Sequence, residues 1–176
     1  MLGILKNTTI TKGFVLAGLF NMTVLVFSRF FTNPVIPESD PVVMSNFGLV
    51  MIVVWGLAYI SVSKNYPAVK WLVAVFAVEK LIYGIVWTKW NLNHELSAVY
   101  AKDTMAGIFY TIYGLNDWIF FIFFSYVFLR LMLYKNSQKL RRIARTETRP
   151  SGDIPTQRAA IETLNSQTEN IRIDST

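Results

Sequence analysis

The chain has 176 residues, no cysteine and a formal charge of +6; it is 53% hydrophobic, 15% aromatic and only 16% charged, where an ordinary soluble domain carries ~25% charged residues. That composition excludes a soluble enzyme domain, a disulfide scaffold and a cysteine-based zinc module. It points to an all-α polytopic membrane protein.

A bilayer core ~30 Å thick takes ~20 helical residues to cross. Four segments approach that length. The first runs from about Gly13 to Phe31 and the second, slightly short, from about Phe47 to Val62. The third runs from about Val69 to Thr88. The fourth runs from about Ala106 to Tyr134, long enough to leave the membrane still helical. No segment alternates apolar and polar residues as a barrel wall requires. The first span starts with Lys6 and Lys12. Its apolar run exceeds the ~7–15 residues of a signal peptide and no small-x-small site follows, so it is expected to be retained.

The connections carry turn residues. Asn33-Pro34, Pro37 and Pro41 break the chain after the first span, and Lys64-Asn65-Tyr66-Pro67 links the second to the third. Residues 89–105 read as a longer polar loop. Short links predict antiparallel neighbours, hence an antiparallel four-helix transmembrane bundle over 1–134. Residues 135–176 read as a basic juxtamembrane segment and a disordered tail, with a short helix near Arg158–Leu164.

Charge placement sets the expected orientation. With the N-terminus inside, Lys6, Lys12, Lys64, Lys70, Arg130, Lys135, Lys139, Arg141, Arg142 and Arg145 fall inside, and only Arg29, Lys89 and Lys102 fall outside. This fits a bacterial inner membrane with both termini cytoplasmic. Tyr66, Trp71 and Tyr134 are then anchors at the inner interface; Trp87, Trp90 and Tyr100 are anchors at the outer one. The run Arg130–Arg145 has six basic and no acidic residues, a pattern attracted to anionic lipid. The charge is thus accounted for by topology, and no nucleic-acid partner is called for. Asn7-Thr8-Thr9 matches a glycosylation triplet but falls on the expected cytoplasmic side.

The informative residues are polar ones at membrane depth. Asn21 is in the middle of the first span, Glu79 and Lys80 near the centre of the third, and Asn116 and Asp117 near the centre of the fourth. An ionised side chain at a helix centre costs ~2.5–3.5 kcal/mol on insertion scales. Three facing lipid would cost roughly 8–10 kcal/mol, close to a domain's whole stability, so they must face the interior. Helical spacing places Tyr83 beside Glu79 and Tyr113 beside Asp117. Lys80 and Asp117 arrive at similar depth on antiparallel neighbours and are expected to pair. Glu79 is expected to bond Tyr83 or Asn21. Arg29 is expected to snorkel or to meet Glu38 or Asp40.

Buried polar groups of this kind often only hold helices together. The aromatic fourth span, with Asp117 at its centre, adds the outline of an apolar pocket with convergent polar groups, the usual form of a small-molecule site. Gly48 and Gly56 with Trp55 and Tyr59 read as a packing face, and Gly107 and Gly114 allow close helix approach. His94-Glu95 alone makes a poor metal site, with one histidine and no cysteine in the chain. No nucleotide, haem or nucleophile motif is present, so no catalytic residue, cofactor or metal is assigned.

The strings FAVEKLIYGIVW around Glu79 and IYGLNDWIFFIFF around Asp117 are the most distinctive. In outline, over Gly13 to Tyr134, the chain resembles the small bacterial four-helix membrane proteins of the DoxX-like kind. Its membrane carboxylates are similar in architecture to those of the sterol-isomerase and sigma-2-like superfamily. Either resemblance implies a four-helix membrane fold and carries no residue role. The expected function is non-enzymatic: binding a small apolar or amphipathic molecule, or serving as an accessory subunit, with a homo-oligomer or membrane-protein partner. The alternatives are a membrane enzyme using Glu79 and Asp117 as acid and base on a lipid-like substrate, and a proton-coupled carrier.

Overall fold

The computed structural model describes residues 7–147 and 162–165. Among these every regular element is a helix, and there are no strands. The helices are α1 (Asn7–Met22), α2 (Val24–Phe27), α3 (Val35–Ser39), α4 (Asn46–Val62), α5 (Lys70–Asn93), α6 (Leu96–Lys102) and α7 (Thr104–Glu147). The chain divides into two units, 1–134 and 135–176. Beyond 147 the tail expected to be disordered falls outside the described residues, apart from a helical turn at 162–165 that overlaps the end of the stretch expected to form a short helix. Of the basic run, Lys135 and Arg141 are exposed; the side chains of Lys139, Arg142 and Arg145 lie outside what is described.

Among the described residues, three helical stretches are long and apolar enough to cross a membrane: Asn7–Phe27, Lys70–Asn93 and Thr104–Ser137. α4 has 17 residues, about 25 Å of helix, so by length alone it falls short. It begins where the Ser45 hydroxyl accepts from the Gly48 N–H at 3.2 Å, a local N-cap.

The first span differs from the expected 13–31 at both ends. It starts by Asn7 and is interrupted at Thr23, whose hydroxyl donates to the Phe20 carbonyl at 2.6 Å. It then stops at Phe27. Phe30 N–H donates to Leu25 O and Arg29 N–H to Val26 O, the two bonds of a Schellman ending. Arg29, Phe30 and Phe31 all have positive φ (50°, 54° and 70°), where glycine is the usual occupant. No glycine announces this stop, so the hydrophobic run reads through it. α5 continues five residues past the expected end, and the two longer connections contain α3 and α6, which turn-residue reading left as breaks.

Arg29 meets neither Glu38 nor Asp40. Its guanidinium pairs with Asp103 at 2.7 Å. Asp103 also accepts from the Asn33 amide at 3.0 Å and from the Ala106 N–H at 2.8 Å, so one carboxylate caps α7 and ties down the first connection. The Ala106 N–H, then the Asn33 amide and the Arg29 guanidinium, hold its carboxyl below the usual carboxylate range. The sign is that of a depressed acid: its contribution is present above an unfolded value of about 3.9 and is lost as pH falls through the folded value. Two substitutions separate the parts. Asp103→Ala should cost about 1 kcal/mol through the lost cap. Arg29→Gly exchanges an exposed ion pair of about 0–1 kcal/mol for relief of about 1–2 kcal/mol of left-handed strain. It should therefore be neutral or stabilising in chemical or thermal melts, and a large loss would reveal a stronger ion pair.

Packing is closest where α1 crosses α4. A Cβ on Gly18 would lie 2.6 Å from the Gly56 carbonyl oxygen, and one on Gly56 would lie 2.9 Å from the Gly18 oxygen. Backbones approach this closely only through small residues. Gly114 lies against the Trp87 ring and Gly107 against the Tyr100 ring. Two apolar clusters fill the interior. One gathers Phe14, Tyr59, Phe76 and Phe124; the other gathers Ile52, Trp90, Phe109 and Tyr110. Two expected interface anchors belong to these interiors instead. Tyr66 is buried and stacks on Phe14 at 5.3 Å. Trp90 is buried, stacks on Tyr110 at 4.2 Å and donates to the Ser39 carbonyl at 2.8 Å.

Within this apolar interior sits a polar cluster, and the outward faces of the long helices are apolar. Asn21, Glu79, Lys80 and Asp117 are buried, while Val78, Ile82, Ile119 and Ile122 are more than half exposed. Water as the surrounding solvent would reward the opposite arrangement.

Candidate functional site

Lys80 sits at the centre of the polar core with 2% of its side chain exposed. Its ammonium donates to Asp117 Oδ1 on α7 at 2.6 Å and to Asn21 Oδ1 on α1 at 3.0 Å. It also lies 5.5 Å from the centroid of the Tyr59 ring on α4, within cation–π range. The pairing expected from depth along antiparallel spans is present. The second donor of this arrangement, Asn21, closes it: its Nδ2 donates to the Ile52 carbonyl of α4 at 3.0 Å. One lysine thus reaches three other helices.

Glu79 faces a different way. Adjacent helical positions diverge by ~100°, so α5 turns Lys80 towards α1 and α7 while Glu79 meets α4. Its partner is the Tyr59 hydroxyl, which donates to Oε2. This corrects the expectation of Tyr83 or Asn21. Asn21 is taken by Lys80, and Tyr83 packs edge-on against Tyr113 at 6.1 Å and 86°. Tyr59 is the functional candidate that sequence reasoning placed only in a packing face. The signal available was the stripe Gly48, Ile52, Gly56, Tyr59, all buried on one side of α4, which puts a hydroxyl at the end of a glycine-rich contact surface.

The core holds two carboxyls, Glu79 and Asp117, and one amine, Lys80. It also leaves polar atoms over. Tyr113 Oη, Asn116 Oδ1 and Asp117 Oδ2 are buried without a hydrogen-bond partner. The Tyr113 hydroxyl lies beside the Asp117 carboxyl and interacts with it, though not in close hydrogen-bond geometry. Asn116 Nδ2 reaches Asp117 Oδ1 only at 3.5 Å. Each such orphaned group costs about 1–3 kcal/mol of desolvation.

A cavity of about 20 Å³ lies beside these groups, room for one water-sized group. Asn21, Thr23, Tyr113 and Asn116 supply its polar lining; Phe20, Phe27 and Ile112 belong to its apolar wall. Neither Glu79 nor Asp117 lines it, and the two carboxyls are engaged by separate partners, so the cavity does not present an acid and a base to one substrate. Among the described residues no cluster of three metal-ligating side chains occurs. His94 stacks on Trp90 at 5.2 Å, with Nδ1 3.0 Å from the Trp90 carbonyl oxygen.

No protein-family model, curated protein or solved structure matches this chain.

Proposed function

We propose that this chain is a four-span integral membrane protein, with both termini on the cytoplasmic face of a bacterial inner membrane, that binds a small amphipathic molecule within its helix bundle without transforming it. In this reading α4 is the remaining span, shortened where the Ser45 cap begins it. The network that ties α1, α4, α5 and α7 through Lys80, Asn21, Asp117, Tyr59 and Glu79 supports a four-helix bundle. The excess of basic residues on one set of connections supports the orientation. The outline likeness to DoxX-like proteins is kept at the level of span number.

The observation that carries the binding function is the set of orphaned oxygens beside a cavity with aromatic walls. A fold that only needed glue would gain by pairing the Tyr113 hydroxyl and the Asn116 and Asp117 oxygens, since each one left over weakens it. A dodecyl-chain probe with a diazirine next to its polar head tests this in proteoliposomes. Photolysis should concentrate label on the segments Phe20–Phe27 and Phe109–Asn116. Label spread over outward positions such as Ile119 and Ile122, with none at those segments, would contradict binding in the core.

A further inference from the structure

We infer that the connection between α2 and α4 is a membrane-contacting surface, seated around Val42 in the headgroup–acyl boundary of a phospholipid bilayer. The inference rests on the membrane-spanning reading above and adds to it a part that no span accounts for. Among the described residues the four most exposed large apolar side chains are Val42 (82%), Leu92 (78%), Phe47 (75%) and Phe30 (72%). All four belong to one end of the bundle. Phe30 follows α2, Val42 precedes α4, Phe47 is in the first turn of α4 and Leu92 in the last turn of α5. Bonds across that end hold it together. The Tyr110 hydroxyl of α7 donates to the Ile36 carbonyl at 2.9 Å, Trp90 of α5 donates to the Ser39 carbonyl, and Arg29 pairs with Asp103. The connection is therefore a fixed surface and not a loose loop.

Two observations assign lipid as its cover. The first is length. α4 has 17 residues and covers about 25 Å of a hydrocarbon core about 30 Å thick. Ser63, Lys64 and Asn65 follow it directly, so the missing length is not made up there. Pro41, Val42 and Val43 stand ahead of the Ser45 cap, and only that end continues apolar. The second is the turn itself. Asp40 Oδ1 accepts from the Val42 N–H at 3.2 Å and from the Val43 N–H at 3.0 Å. The Asp40 carbonyl accepts from the Met44 N–H at 3.0 Å. Three consecutive backbone donors are thus satisfied inside the turn, as backbone that leaves water requires. The same turn sends Met44 inward, 1% exposed, and leaves Val42 outward. Glu38, exposed on the same connection, is the charged side of a short segment whose other side is apolar, the make-up of an element lying in the interface.

The test uses Val42→Cys, Phe47→Cys, Glu38→Cys and Ile122→Cys in the full chain, which has no other cysteine. Each carries an NBD fluorophore in vesicles of phosphatidylethanolamine and phosphatidylglycerol. Quenching is read with iodide in the water and with phospholipid brominated either near the headgroup or near the chain end. The Val42 and Phe47 labels should be quenched by the shallow bromolipid at least about threefold more than the Glu38 label, from a seat ~5–10 Å into the boundary. The Ile122 label should favour the deep bromolipid. A Val42 label quenched by iodide as the Glu38 label is, with Ile122 still in lipid, would overturn the inference and leave the membrane fold standing. Iodide quenching at Ile122 as well would overturn both. A Val42 label shielded from iodide and from both bromolipids would mean that protein covers the surface, and would overturn the lipid assignment. Deep quenching at Val42 equal to that at Ile122 would overturn its place at the boundary.

Discussion

Replacing Lys80 by methionine should unfold more of this protein than any other single change in its core. The substitution keeps most of the volume and removes the one cation. Asp117 loses its 2.6 Å partner and Asn21 its 3.0 Å partner, and two carboxyls remain inside with no compensating charge. Removing one member of a buried pair typically costs about 3–5 kcal/mol. Asp117→Asn should cost less, because an amide oxygen still accepts from Lys80 and Asn21 is undisturbed. The double variant should recover part of the loss, with a coupling of at least about 1 kcal/mol, since the two side chains touch. Equilibrium unfolding in a detergent–denaturant series reads all three. Strict additivity would mean that the pair contributes little and that the surrounding helices hold the charges apart from it.

The second large effect is expected at the α1–α4 crossing. Gly18→Leu or Gly56→Leu sets a side chain against the facing backbone oxygen, 2.6 Å and 2.9 Å away at the Cβ alone. Backbone oxygen in a helix cannot swing aside, so the helices must part. Parting them stretches the 3.0 Å bond from Asn21 to Ile52 and draws Asn21 off Lys80. Overpacking costs about 1–3 kcal/mol, and the linked loss of a buried hydrogen bond places these variants at or above the upper figure. Gly84→Ala is the control. Its Cβ would sit 3.2 Å from the Trp118 ring, a side chain that can yield, and the gain in helix propensity of about 1 kcal/mol offsets the crowding. A Gly18→Leu variant that melts like Gly84→Ala would show that α1 and α4 do not cross there.

What could be read in advance follows from which forces act locally. The long apolar runs of α5 and α7 announce themselves, because crossing length and composition are properties of the segment alone. So does the meeting of Lys80 with Asp117, since burial cost forbids either from facing lipid and depth leaves few partners. The end of the first span was hidden because Arg29, Phe30 and Phe31 occupy left-handed positions without a glycine to mark them. The Tyr59–Glu79 bond was hidden for a different reason. The glycine stripe of α4 marks a face that packs, but nothing in its sequence says that the Tyr59 hydroxyl on that face meets a carboxyl of α5. Arg29 and Asp103 lie 74 residues apart, and only the folded chain decides between Asp103 and the nearer acids Glu38 and Asp40. The orphaned oxygens were equally out of reach, because an unpaired atom is a property of geometry and not of residue type.

The central claim is that the polar cluster around Lys80 faces inward while the outward apolar faces of the long helices meet lipid. Because the chain has no cysteine, a spin label can be placed at single positions without background. The direct measurement is collision of such labels with oxygen and with a water-soluble nickel chelate in proteoliposomes. Labels at Val78, Ile82, Ile119 and Ile122 should collide strongly with oxygen and hardly at all with the chelate, while a label at the exposed Glu38 should do the reverse. Chelate access at Val78 or Ile119 equal to that at Glu38 would place those faces in water and contradict the membrane-spanning fold.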